Sequence, residues 1–380
     1  MKSKFAAGDL YRYDKKMISP LEAYALMQAR GPDLLTLMQR ASAIRETHWG
    51  RTVTYSRKVF IPLTNLCRDK CAYCTFARAP GDPRAHTLTP EEVLAIARAG
   101  QKAGCKEALF SLGERPELTH ALAREHLQKL GYASMVEYLA AMARLVFDET
   151  GLLPHLNPGA LYEEEWARLR PWAGSMGMML ESVSDRLMQK GQAHFGCPDK
   201  APQRRLAALA AAGRLHIPFT TGILIGIGET VEERVDSLFA IAEVHRQHGH
   251  IQEVIIQNFR RKPDIRFRAQ DEPSALEMAR TLAVARLILP PEISLQAPPN
   301  LTPDAYSLYL LAGINDWGGV SPVTQDHINP EAPWPQIEAL AAASADAGFQ
   351  LKERLSIYPR YLSAQWLPAP VLARAQNFDL

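Results

Sequence analysis

Cysteine is scarce in this chain, with five among 380 residues, and so small an odd number gives no disulfide framework. A chain of this length buries enough surface to stand without such staples, and no signal peptide is recognised at its start. No uninterrupted apolar run approaches the length of a bilayer crossing, so no membrane association is expected. An excess of one charge is also missing. Forty-three Lys and Arg stand against 41 Asp and Glu, a formal +2, too balanced for a protein that binds nucleic acid by neutralising phosphates. Arg260-Arg261-Lys262 is the one short basic triplet; a solvated loop or a docking patch for an acidic electron donor explains it more simply. A Gly-x-Gly-x-x-Gly fingerprint does not follow the first strand, which argues against a dinucleotide fold. With 47% hydrophobic and 22% charged residues, the composition is that of a cytoplasmic catalyst of one large or two modest domains.

Where cysteine does occur, it is concentrated. Cys67, Cys71 and Cys74 lie in one short run, Asn65-Leu66-Cys67-Arg68-Asp69-Lys70-Cys71-Ala72-Tyr73-Cys74-Thr75-Phe76, at C-x3-C-x2-C spacing. Three thiolates in one loop can hold three irons of a cubane cluster and leave the fourth open to an exogenous ligand. A structural zinc site would show paired groups supplying four ligands, and here His86 is the nearest histidine downstream and no second pair exists. The spacing, with an aromatic residue before the last thiol, resembles the signature of radical S-adenosylmethionine (SAM) enzymes. That resemblance implies one [4Fe-4S] cluster, SAM chelated at its open iron, and Tyr73 packed by the cluster with its neighbouring backbone near adenine. Cys105 and Cys197 stand apart, and neither is assigned chemistry.

Along the chain, residues 1–57 read as a helical N-terminal extension. Ser19-Pro20-Leu21-Glu22 forms a capping-box pattern, and Leu21, Ala25 and Leu26 recur near the helical period. A core over 58–360 then alternates strand-like and helix-like segments. The strand-like ones are Val59–Leu63, Ala108–Leu112, Pro154–Leu156, Met176–Leu180, Gly222–Gly226, Val254–Gln257 and Ser294–Gln296. Residues 361–380 read as a C-terminal tail. The alternation predicts an α/β fold with a parallel sheet, closing into a full or partial TIM-type (β/α) barrel of the radical SAM kind; an open doubly wound sheet is the alternative. In such folds chemistry sits in loops at the carboxyl ends of the strands, where the cysteine run falls.

Other strand-end segments fit the same cavity. Gly113-Glu114 resembles the glycine-glutamate motif that grips the ammonium of SAM, although Leu112 stands where many relatives carry a second glycine. The resemblance also assigns Glu181 and Arg186 to the ribose hydroxyls and carboxylate, and Gly226-Ile227 to the adenine shelf. Turn formation alone would require many of the same residues, as it would at Asn157-Pro158-Gly159.

Longer stretches narrow the resemblance. The run Ile61 to Cys71, Gly113 to Glu117, Gly151 to Gly159, Gly313-Ile314-Asn315-Asp316-Trp317-Gly318-Gly319-Val320-Ser321-Pro322 and Asn329 to Pro335 are similar to the CofG-type 7,8-didemethyl-8-hydroxy-5-deazariboflavin (FO) synthase family. This implies a radical SAM carbon-nitrogen lyase. It would close the third ring of a deazaflavin from the tyrosine-derived hydroxybenzyl adduct of ribityl-diaminouracil, with loss of ammonia. The implied partners are a CofH-type subunit that supplies the adduct and a flavodoxin- or ferredoxin-like electron donor. Gln257 and Asn258 at the sixth strand end, and Asn315 and Asp316 at the last, offer the donors and acceptors that uracil edges and ribityl hydroxyls require, and Asp316, Asp326 and His327 are candidates to assist ammonia loss. Biotin-synthase-like or aminofutalosine chemistry, and a non-catalytic zinc module, are the other readings.

Overall fold

The computed structural model describes residues 18–262, 265–267 and 272–378. Nine strands follow in order: β1 Thr52–Thr64, β2 Glu107–Leu112, β3 Leu153–Asn157, β4 Ser175–Gly177, β5 Phe219–Ile225, β6 Ile251–Asn258, β7 Ser294–Gln296, β8 Asp316–Val320 and β9 Gln350–Glu353. β1 through β8 pair in sequence, all parallel, and β1 pairs with β2 as well as β8, so the sheet closes into a full barrel. The open doubly wound alternative is thereby excluded. β9 pairs with Thr52 to Tyr55 of β1, ahead of the residues that pair with β2.

The longer strands β1, β5 and β6 form where β-branched and apolar residues run together, and helices pack outside because crossovers between parallel strands must cover the sheet. β5 is buried at every residue, one face against the helices and one against the lumen. The helix Pro90–Lys102 starts at a reciprocal capping box of Thr89 and Glu92, and Val231–His248 at one of Thr230 and Glu233.

β1 begins at Thr52, ahead of the expected boundary between residues 57 and 58, because Thr52-Val53-Thr54-Tyr55 already pairs with β9. The described part of the 1–57 extension comprises helices Pro20–Leu26 and Gly31–Trp49; residues 1–17 lie outside the described residues. Ser19 caps the first helix through Glu22 N–H, but the buried residues are Ala23 and Met27, whereas Leu21 is 79% exposed. Residues 361–380 include a helix, Ala369–Gln376, whose Val371 and Ala375 pack with Phe147, Leu153, Tyr361 and Leu367. β4 is shorter than expected: past Gly177 the backbone leaves the regular ladder, although Glu181 still bridges to Ile223. No single helix among the described residues is long and apolar enough to cross a membrane.

Candidate active site

The loop after β1 carries the three cysteines over the carboxyl ends of the strands. All three thiols are free and half-buried. The loop is fastened from several sides: Arg68 N–H donates to Glu114 O (2.9 Å), His120 Nε2 meets Cys67 O (2.9 Å), and Ala72 N–H donates to Ala193 O (2.9 Å). The end of β2 presses directly on it. A Cβ on Gly113 would overlap the Leu66 carbonyl, so only glycine permits this approach.

Glu114 follows, with its N–H on the Cys67 sulfur at 3.2 Å. Its carboxylate accepts the Ala160 N–H at 2.9 Å and lies 3.9 Å from the Arg205 guanidinium. Gly159, at φ +90°, leaves the room: a Cβ there would overlap the Glu114 carboxylate. Burial pushes Glu114 up to about 7, against the pull of Arg205.

Glu181 sits where β4 unravels, in a left-handed conformation (φ +66°) that a non-glycine residue rarely adopts. Its carboxylate receives Lys200 Nζ, the Tyr73 hydroxyl and His194 Nε2, the last at 3.0 Å. Burial opposes the charge on Glu181, but Lys200, His194 and Arg205 outweigh it and hold the carboxyl well below its usual range. Lys200 ends the turn Pro198–Lys200, and its ammonium is held strongly protonated by Glu181 and Cys71 despite burial and the repulsion of Arg205. Arg205, on helix Pro202–Arg214, donates to Met179 O. Arg68 and Asp199 close the group with a two-bond ion pair, Nη2 to Oδ1 at 2.7 Å. Burial pushes the Cys67 and Cys74 thiols up, and at Cys71 a hydrogen bond with Cys197 does so first with burial adding to it; Lys200 is the cation that opposes this at both Cys71 and Cys74.

This cluster of ionic groups was not singled out from the sequence. Lys200, His194, Arg205 and Asp199 lie in the stretch between β4 and β5, where the only signal was the density of chemically active residues from His194 to Arg205. Arg186, by contrast, stands away from the cysteine loop's ionic group: it pairs with Glu233 (2.7 Å) and donates to Gly228 O (2.6 Å), at the surface. Gly226 and Ile227 N–H groups both donate to the Glu229 carboxylate, at 2.8 and 2.9 Å, while Ile227 packs with Leu187, Ala193 and Phe259 beside Tyr73.

Of the residues expected at the substrate, Gln257 lines the lumen cavity. Asn258 is 1% exposed, and neither of its amide atoms has a partner among the described residues. Asn315 and Asp316 are not at a strand's carboxyl end: Asp316 opens β8. Asn315 is consumed by Arg286, Leu295 N–H and Ser294, and Asp316 by Arg354, Thr54 and Gly318 N–H, so both hold the barrel together. Asp326 lines the cavity and accepts from Asn300 (2.9 Å) and Asn329 (3.0 Å); His327 is half-buried with Nε2 unpartnered. Lys262 is buried and donates to Ile328 O, so the 260–262 triplet is no continuous surface patch.

A parallel barrel with three clustered thiols after its first strand, backed by buried cations and a glycine-cradled carboxylate, defines the radical SAM class. Residues 61–241 match the family model of the radical SAM superfamily, whose members use a [4Fe-4S] cluster and SAM. Among solved structures, the hydrogenase maturase HydG of Carboxydothermus hydrogenoformans superposes with TM-score 0.71 at 20% identity, over 88% of this chain and 76% of that one. Methylornithine synthase (PylB) superposes with TM-score 0.67 at 19% identity, over 88% and 94%. These likenesses establish the fold.

Sequence relatives go further. The 7,8-didemethyl-8-hydroxy-5-deazariboflavin synthase of Methanopyrus kandleri is 52% identical over 319 residues, 84% of this chain and 95% of that protein. The FO synthases of Nocardia farcinica and Mycobacterium tuberculosis are 53% and 50% identical over 90% of this chain, which spans only 41% and 42% of their length. The chain belongs to the 7,8-didemethyl-8-hydroxy-5-deazariboflavin synthase family of radical SAM enzymes.

The residues present fit both cofactors. Three free thiols on one loop are the right donor set for a site-differentiated cluster. No trio of His, Cys, Asp or Glu side chains among the described residues converges on a single ion, and the ligands of a cubane, each on a separate iron, have no reason to.

Proposed function

We propose that this protein is the radical SAM lyase that closes the third ring of FO from the hydroxybenzyl adduct of ribityl-diaminouracil, with loss of ammonia. The observation that carries this reading is the 52% identity to the Methanopyrus synthase across 95% of its length. Biotin-synthase-like and aminofutalosine chemistry gain nothing from these relatives, and a zinc module is at odds with membership of the family.

In this reading Cys67, Cys71 and Cys74 ligate the cluster. Bound there, the cluster and SAM would supply the chemistry of hydrogen abstraction from the substrate. The chain's own residues do the positioning. Glu114, held by Ala160 N–H and the space at Gly159, takes the SAM ammonium; its burial at about 7 means that an approaching cation favours its ionised form. Lys200 and Arg205 are the buried cations for the SAM carboxylate and for the negative charge of a thiolate-bound cluster, the role the sequence assigned to Arg186. Glu181 and Tyr73 fix Lys200 and Ile227 closes the apolar wall beside them. The loops after β7 and β8 line the mouth of the lumen and would help to keep water from the radical.

A CofH-type partner supplies the adduct, and the extra length of the longer FO synthases is the place to seek its counterpart. A flavodoxin- or ferredoxin-like protein supplies the electron. The cytoplasm is the compartment this reading expects, since three cysteines that hold a cluster must be kept reduced. The test is an anaerobic incubation of cluster-loaded protein with SAM, a strong reductant and the adduct. Deazaflavin fluorescence and 5'-deoxyadenosine should appear together and both should vanish with Cys71→Ala; 5'-deoxyadenosine without fluorescence sinks the ring-closure reading.

A further inference from the structure

The lumen holds a cavity of about 180 Å³ whose two ends differ in chemistry. Toward the mouth, apolar Leu109, Leu301 and Ile328 and the stacked rings of Phe60 and Trp334, with centroids 5.1 Å apart and planes 9° from parallel, alternate with the amides of Asn157, Gln257 and Asn300 and with Asp326. The floor carries Lys58, Thr220, Glu253, Gln296, Arg354 and Ser356. A TIM-type lumen is ordinarily filled with branched apolar side chains, so a floor with both signs of charge is a departure that needs a cause.

Part of the floor is self-contained. Arg354 is spent on Asp316, Glu253 and Leu355 O, and Thr220 donates to Glu253 at 3.0 Å. Other groups keep capacity. Ser356 is 2% exposed and its hydroxyl has no partner among the described residues. Lys58 carries three donors and meets Glu107 at 3.5 Å. Room for it is built in: a Cβ on Gly319 of β8 would lie 2.5 Å from Lys58 Cε. Buried unpartnered hydroxyls are costly and rare, and a ligand group is one way to satisfy them.

We propose that the floor of the lumen is a polyol subsite, which takes the ribityl chain of the substrate and points its rings toward the Phe60–Trp334 mouth. This rests on the functional reading above. A ligand for this floor should bring no negative charge, because Glu107, Glu253 and Asp316 already outnumber Lys58 and Arg354, and must both accept and donate, because the Lys58 ammonium offers donors and the Ser356 hydroxyl awaits a partner. A chain of hydroxyls does all three. The depth also suits: from Lys58 to Thr64, where the cysteine loop departs, β1 runs roughly 20 Å at about 3.3 Å per residue. The tail therefore reaches down while the rings stay near the radical source.

The test compares the full adduct with a counterpart whose ribityl chain is replaced by methyl. Ser356→Ala removes a hydroxyl that holds nothing in the protein, so the fold is not at stake; Ser356→Cys, which keeps the volume and gives up the hydroxyl, is the second variant. Each should raise KM for the full adduct about three- to tenfold, as expected for one lost hydrogen bond, and leave KM for the methyl counterpart where it was. Equal shifts on both substrates, or no shift on either, would assign the floor to holding Arg354 and the barrel base alone. Wild-type protein that makes no deazaflavin from the adduct overturns the functional reading; wild-type turnover with variants indifferent to the tail overturns only the subsite.

Discussion

The backbone N–H of Glu114 donates to the sulfur of Cys67 across 3.2 Å. One hydrogen bond thus ties the end of β2 to the cysteine loop after β1 and sets the proposed SAM-binding carboxylate in register with the proposed cluster. The fit depends on backbones rather than long side chains, since Gly113 and Gly159 supply the clearance.

Lys200→Met should raise KM for SAM tenfold or more, because a charge-assisted contact contributes roughly 1.5–3 kcal/mol. It also leaves Glu181 buried without its cation, at a cost of about 3–5 kcal/mol in stability. SAM titration and thermal unfolding of the same preparation read the two effects; an unchanged KM would remove Lys200 from the SAM site.

Arg186→Ala should do little. Its pair with Glu233 is part-exposed, and such pairs contribute about 0–1 kcal/mol. A KM for SAM within a factor of two of wild type is expected, and a tenfold rise would restore Arg186 to the carboxylate.

These two residues show where the sequence was legible and where it was not. The cysteine spacing, the Gly113-Glu114 motif and the alternation of strands are local in the chain, so the site's first wall and the barrel could be read directly. Arg186 drew attention because it follows β4 closely, but its neighbours in space are Gly228 and Glu233, after β5. Lys200 reaches Glu181 only because the backbone from Ser182 to Lys200 folds back in two short turns, for which there is no periodic signal. Asn315 and Asp316 were misplaced for a related reason: Trp317-Gly318-Gly319 has little strand propensity, so β8 was not foreseen and its start was taken for an end.

Asn315→Ala tests that correction. β7 and β8 share a single register pair, Gln296 with Asp316, and Asn315 stitches the same seam to Leu295, Ser294 and Arg286. Arg286 is fully buried and pushed down to about 9, chiefly by burial. Unpartnered buried groups cost about 1–3 kcal/mol each, so a loss of about 3 kcal/mol in unfolding free energy is expected, with KM for the adduct little changed. The opposite pattern, intact stability and raised KM, would return Asn315 to the substrate.

Burial raises Glu253 to about 7, with Asp316 adding to the shift and Arg354 opposing it. An acid raised in the folded state contributes stability that is fully present below its unfolded value, near 4.5, and is lost as pH climbs through about 7. Subtracting the unfolding free energies of Glu253→Gln from those of wild type, from pH 4.5 to 8, should therefore give a difference that falls with pH. A difference that rises would show that Arg354 dominates and holds Glu253 ionised.

The most direct measurement uses adduct deuterated at its carbon-bound positions, with cluster-loaded protein, SAM and reductant. The account predicts deuterium in 5'-deoxyadenosine together with deazaflavin fluorescence, because the radical acts on the adduct itself. Unlabelled 5'-deoxyadenosine and no fluorescence would contradict it, leaving a radical SAM enzyme whose substrate is another molecule.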